Sequence, residues 1–302
     1  MLQRGYRVIV TRNIHTLPIG IYMFAPLLKN LIPAVMSTAA ILASQMVFVS
    51  EARAAGDLLV APTRIVLDGR RGTEVILNNV GAEEATYRIS LELRRMNTQG
   101  RLEDVEVAVA NEIEKKAVEM VRFAPKRVTL PPNQPQSIRI AIQQPEGLPD
   151  GEYRAHMMFR AIPKVQAATA APSKDSGVQI QLIPIYGVTI PIIIRKGKLQ
   201  AVAAIANPRL GKEQDVPMLI FDLSRTGNRS VFGDVKVSKS GVAAPVFQAK
   251  GIAIYPEIAK RTVSIPLPEE VAAQLHGPLT IGYYEAAEAG SGLIAEVKSV
   301  LP

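Results

Sequence analysis

Residues Val178–Ile194 read VQIQLIPIYGVTIPIII, and Val178, Ile180, Leu182, Tyr186, Val188, Ile190, Ile192 and Ile194 all fall on one parity. Alternation at period two marks a β-strand with one apolar face. The stretch is seventeen residues long, about three times the usual strand of ~5–6 residues. Pro184 and Pro191 cannot donate to a sheet ladder, so the strand is not hydrogen-bonded along both edges throughout. A long apolar strand with a partly open edge invites aggregation. A chain that keeps one can use it to pair with another chain. The same residues also fit a long strand bent at Gly187, with each half buried in its own chain.

Short apolar runs separated by turn residues surround this stretch. Leu58–Leu67 precedes Asp68-Gly69, and Glu74–Leu77 precedes Asn78-Asn79. In Thr86–Met96, Tyr87, Ile89, Leu91 and Leu93 alternate with Arg88, Ser90, Glu92 and Arg94, up to a turn at Asn97–Gly100. Val105–Met120 is richer in Ala and Glu, which predicts a helical turn or two. Arg127–Leu130, Ser137–Ile142 and Glu152–Ala161 predict further strands. Ala167–Gly177 (AATAAPSKDSG) reads as a flexible loop leading into the long strand. After the basic joint Arg195–Lys198, strands are predicted at Met218–Leu223, Val235–Val237, Ala249–Ile254, Thr262–Leu267 and Leu279–Glu285. Many short strands with Gly, Asn and Pro turns predict an all-β chain of two immunoglobulin-like sandwiches in tandem. The expected division is 1–54 as a signal peptide, 55–196 as the first sandwich and 197–302 as the second.

The leader carries Arg4, Arg7, Arg12 and Lys29 ahead of the apolar run Leu31–Val49, followed by Ala52-Arg53-Ala54. That order describes a cleaved secretory signal, with Met1 or Met23 as its start. An uncleaved anchor is the competing reading, because the run approaches ~18 apolar residues. Pro33, Ser37, Thr38, Ser44 and Gln45 weaken the anchor reading, and the Ala52-Arg53-Ala54 site favours cleavage. The leader accounts for four of the eight net positive charges, and beyond it Lys and Arg interleave with Asp and Glu. No nucleic-acid surface is indicated. Without cysteine, disulfides and thiolate chemistry are ruled out.

The order of parts resembles the periplasmic pilus (fimbrial) chaperone family. The resemblance rests on Val60–Gly69 (VAPTRIVLDG), on Ala124–Pro132 with Gln136–Arg139, on Leu148–Phe159 (LPDGEYRAHMMF), and on the loop with the long strand. It covers residues 57–196 well and the second half weakly. It implies a chaperone that lends its alternating strand to a pilus subunit lacking one, and passes the subunit to an outer-membrane usher without ATP. It further implies that two cations anchor the subunit's terminal carboxylate. Arg64 matches the first. The second, a lysine within the strand, falls near Pro191 and is not matched; the nearest cations are Arg195 and Lys196, and Arg195 is taken as its substitute. Self-dimerisation through the long strand is a further expectation.

No catalytic pattern competes. His156 and His276 make no metal-ligand spacing and no nucleophile–base order, and each is expected to be a satisfied or solvent-exposed histidine. Glu112–Lys116 reads as a solvated charged face. Phosphate-cradling glycine motifs are absent from the sequence. No enzyme activity and no cofactor is expected. The alternative function is an exported tandem-sandwich scaffold or adhesion protein without chaperone activity.

Overall fold

Alternating apolar side chains give the strands of the first half one face each to bury, and two such sheets close on each other. The computed structural model describes residues 58–68, 72–163, 185–286 and 290–302. The expected leader, the loop 167–177 and Val178, Ile180 and Leu182 lie outside the described residues. The first sandwich contains β1 (Leu58–Ala61), β2 (Ile65–Leu67), β3 (Thr73–Asn79), β4 (Ala85–Glu92), a small hairpin of β5 (Arg94–Met96) and β6 (Leu102–Asp104), α1 (Glu112–Met120), β7 (Val121–Ala124), β8 (Arg127–Leu130), β9 (Pro135–Ile142), β10 (Gly151–Ile162) and β11 (Gly187–Lys196). One sheet runs β1-β3-β9-β7 and the facing sheet runs β2-β11-β10-β4-β8. Val75, Leu77, Ile138 and Ile140 of the first meet Tyr87, Ile89, Met157, Phe159, Ile190 and Ile192 of the second in one core. Each such side chain contributes ~1.5–3 kcal/mol by leaving water.

The second sandwich contains β12 (Ala201–Glu213), β13 (Val216–Gly227), β14 (Val231–Lys239), β15 (Phe247–Ile254), β16 (Lys260–Pro266), α2 (Glu269–Ala272), β17 (Gly277–Glu285) and β18 (Leu293–Leu301). Its sheets run β12-β13-β16 and β15-β14-β17-β18. Leu219, Phe221 and Leu223 pack there against Val235, Val237, Ile281 and Tyr283. Both sandwiches belong to one compact unit, Ala54–Pro302. The chain is therefore all-β, with two immunoglobulin-like sandwiches.

Three local departures from the sequence expectation have physical causes. Thr86–Met96 is not one strand: the ladder to β10 stops at Glu92, and the chain turns into the β5–β6 hairpin. Asn97 closes that hairpin, its Oδ1 accepting the amides of Gln99 and Arg101, each at 3.0 Å. The helix within Val105–Met120 is α1, opened by a capping box between Asn111 and Glu114. Glu114 is not part of a solvated face; it turns inward to accept two bonds from Arg95, at 2.9 and 2.8 Å. Burial alone would raise its carboxyl pKa, but bonds from Arg95 and Asn111 outweigh that and hold it below the usual range. Finally, β12 and β18 were not expected. In β12, Ala replaces most large side chains and a register shift falls around Pro208; β18 leaves alternate residues such as Val300 facing water.

Candidate functional site: an open strand edge and an arginine cleft

The edge of β11 follows from its register. Ala161 and Tyr186 stand opposite each other, and the Ala161 amide donates to the Tyr186 carbonyl at 2.9 Å. In an antiparallel ladder, even-numbered residues of β11 then direct their backbone groups toward β10, and odd-numbered ones direct them away. Pro191, opposite His156, lacks its N–H on the outward side, so the ladder to β10 loses nothing. On that outward side β2 pairs in parallel, but only with Ile192, Ile193 and Ile194. From Gly187 to Pro191 no strand among the described residues covers the edge. The amides of Gly187 and Thr189 and the neighbouring carbonyls face outward there.

The side chains divide differently from expectation. Ile190, Ile192 and Ile194 are at most 1% exposed and belong to the core of their own sandwich. They are not available to a partner, which corrects their placement in a subunit-binding set. The parity that could be offered to another chain suits them equally to the sheet facing them. Val188 is partly buried against the same core. Tyr186 remains open to solvent at 48% exposure, beside exposed Ile185. Ile193, on the other parity, is also buried, against Met96, Ala253 and Tyr255. The unbroken isoleucine run Ile192–Ile194 thus serves two interfaces, its own core and the contact with the second sandwich.

Arg64 and Arg195 come together where the two sandwiches meet. Arg64 sits between β1 and β2; its guanidinium lies 4.3 Å from the Phe232 ring centroid and donates to the Tyr255 hydroxyl at 3.2 Å. Arg195, near the end of β11, donates through Nε to Glu152 at 3.0 Å. Both place Nη2 3.4 Å from the Ser230 hydroxyl oxygen. Ser230 in turn donates to Glu152 Oε2 through its hydroxyl at 2.9 Å and its amide at 3.0 Å. A buried carboxylate of the first sandwich therefore holds a buried serine of the second, and that serine is the common acceptor of two guanidinia. Lys196, the other nearby cation, bonds the Leu148 carbonyl. Among the described residues no carboxylate pairs with Arg64.

Sequence reasoning missed Glu152, Ser230, Phe232, Tyr255 and the pair of Arg154 with Glu257. Arg154 donates to Glu257 at 2.5 and 3.2 Å and lies 3.6 Å from the Tyr255 ring centroid. The available signal was the polar parity of β10: Glu152, Arg154, His156 and Arg160 alternate with core residues. That parity marks a second face, but not that another domain covers it. His156 is neither satisfied nor exposed. It is 1% exposed, and neither ring nitrogen has a partner among the described residues. Burial, then the charges of Arg154, Arg94 and Arg64, push its pKa down to about 3, so the ring is neutral. His276 is exposed, with Nδ1 against the Pro302 carbonyl. Among the described residues no cluster of metal-ligating side chains occurs, and no helix is long and apolar enough to cross a membrane.

No protein-family model matches the chain, and no curated protein is similar to it. Solved structures do resemble it at low identity. One is the YadV chaperone, at 12% identity and TM-score 0.43, covering 82% of this chain and 100% of that one. A second is the Salmonella enterica SafA pilin in complex with the SafB chaperone, at 13% and 0.40, covering 81% and 96%. A third is the Pseudomonas aeruginosa CupB2 chaperone, at 13% and 0.39, covering 81% and 100%.

Proposed function

We propose that the protein is a non-enzymatic periplasmic chaperone that caps a pilus or fimbria-like subunit by strand donation and releases it to an outer-membrane usher without ATP. The observation that carries this reading is the outward edge of β11 between Gly187 and Pro191, which no strand among the described residues covers, directly before the short pairing with β2. A client strand added there would gain main-chain hydrogen bonds, while side chains upstream fill its groove. The donated side chains are Val178, Ile180 and Leu182 with Tyr186 at the exposed end, and Val188 at the margin; Ile190, Ile192 and Ile194 hold the strand to its own sandwich. Residues 55–196 form the client-binding domain on this reading, and 197–302 the second. Arg64 and Arg195 would anchor the client's terminal carboxylate beside the free edge. Export rests on the leader's composition.

Replacing Thr189 with proline tests the reading. T189P deletes one outward donor but no backbone bond to β10, because Thr189 is odd-numbered; the only contact to β10 it gives up is that of the Thr189 hydroxyl with Met158 Sδ, at 3.4 Å. The variant should stay folded, with an unchanged circular dichroism spectrum, and lose co-purification with a co-expressed pilus subunit. Full retention of the subunit by a folded T189P would defeat the strand-donation reading.

A further inference from the structure

β18 (Leu293–Leu301) lies at the end of the four-stranded sheet of the second sandwich and pairs with β17 alone among the described residues. The direction of its other edge follows from the ladder. The Glu285 amide donates to the Gly292 carbonyl at 2.7 Å, so odd-numbered residues of β17 turn their backbone groups toward β18. Leu279, Ile281 and Tyr283 stand opposite Ser299, Val297 and Ala295. Those three residues of β18 therefore face β17, and the backbone groups of Glu296, Lys298 and Val300 face away from it. β12 runs nearby, but its ladder is to β13, and no backbone hydrogen bond joins it to β18 among the described residues. The side chains of Glu296, Lys298 and Val300 are exposed, Val300 at 73%. Neither Glu296 nor Lys298 has an ion-pair partner among the described residues. Nine strand residues without a proline make a long edge of the kind that invites pairing.

We propose that β18 is a homodimer seam, to which a second copy of this chain adds its own β18 antiparallel in the register centred on Val297. The charges of the strand are self-complementary in that register. A twofold axis at Val297 places Glu296 of each copy opposite Lys298 of the other, so the opposite-charge pair forms twice. Both residues direct their backbone groups into the seam, so each of these pairs is also a hydrogen-bonded pair. Sliding one copy by two residues sets Glu296 against Glu296 in one direction and Lys298 against Lys298 in the other. Sliding it by one sets outward-facing backbone groups against inward-facing ones. A lysine on an edge strand ordinarily blocks pairing; here it blocks the neighbouring registers and favours one. On the other face of the seam Val297 meets its own symmetry mate, beside the core against which it already packs. The pairing joins two four-stranded sheets into one continuous sheet and uses no residue of β11.

Sedimentation velocity of the purified protein reads the dimer directly. A seam of one strand pair is smaller than a standard interface of ~1,600 Å², so the dimer should appear at roughly tens of micromolar or above. E296K and K298E each set like charges against one another twice, and each should weaken the dimer about tenfold or more. An equimolar mixture of the two single variants should dimerise again, because every charged pair in the mixed dimer is then Lys against Glu. The double variant E296K/K298E should dimerise like the parent. Both positions are exposed, and an unchanged circular dichroism spectrum confirms the fold of each variant. T189P, on β11, should leave the dimer as it is. A parent still monomeric at about 500 µM, single variants that dimerise like the parent, a mixture that stays monomeric, or a dimer lost in T189P would each overturn the proposal. The last result would assign self-association to the edge of β11 instead.

Discussion

His156 gives the sharpest prediction of stability. Its native pKa of about 3 lies well below the ~6.5 of an unfolded histidine. Between those values the unfolded chain binds a proton that the native chain refuses, so native stability falls as pH falls, at about 1.4 kcal/mol per pH unit. Above pH ~6.5 the ring is neutral in both states, and the histidine adds no slope. From pH 7 to pH 4 the loss attributable to His156 alone is about 3 kcal/mol. In H156L the site is apolar and cannot titrate, and no hydrogen bond is forfeited because neither ring nitrogen has a partner among the described residues. Urea denaturation of parent and variant at pH 7, 6, 5 and 4 measures the difference directly, since every other titrating group is common to both. The two curves should diverge below pH 6, with H156L losing about 3 kcal/mol less by pH 4. Parallel curves would refute the buried, neutral assignment of the ring.

Two further outcomes separate core from surface and test the junction between sandwiches. I192D places a charge where the side chain is 0% exposed and should leave the chain unfolded in near-ultraviolet circular dichroism, whereas Y186D, at a position 48% exposed, should shift Tm by little; equal behaviour of the two would contradict the assigned parity. E257A strips Arg154, whose side chain is 8% exposed, of its bidentate partner and should cost about 3 kcal/mol in denaturant unfolding; a cost below about 1 kcal/mol would show the pair to be solvent-screened.

The sheet faces were legible because their signal is binary. Tyr87, Ile89, Ile190 and Ile192 announce a buried side by alternation, and the structure buries that side. What alternation cannot say is whose sheet covers it, and so Ile190, Ile192 and Ile194 read equally well as bait for a client and as core. The convergence of Arg64 with Arg195 was only partly legible: each is a cation near a strand end, but their meeting point, Ser230, lies 166 and 35 residues away in sequence. No local pattern encodes such a distance. The β5–β6 hairpin escaped notice for a third reason. The alternation of Thr86–Met96 continues through Leu93, past Glu92, where the ladder ends because the chain turns, not because the pattern stops.

On the strand-donation reading, Pro191 would set a limit on any strand added to the edge that no described strand covers. A polypeptide laid alongside finds amide donors at Gly187 and at Thr189; two residues further on the ring nitrogen offers nothing, and from Ile192 the position is already taken by β2. The proline therefore acts as a full stop, defining how far an arriving strand can advance before its next hydrogen bond goes unmet. On that reading, alignment along this edge would be set by a missing proton rather than by an added contact.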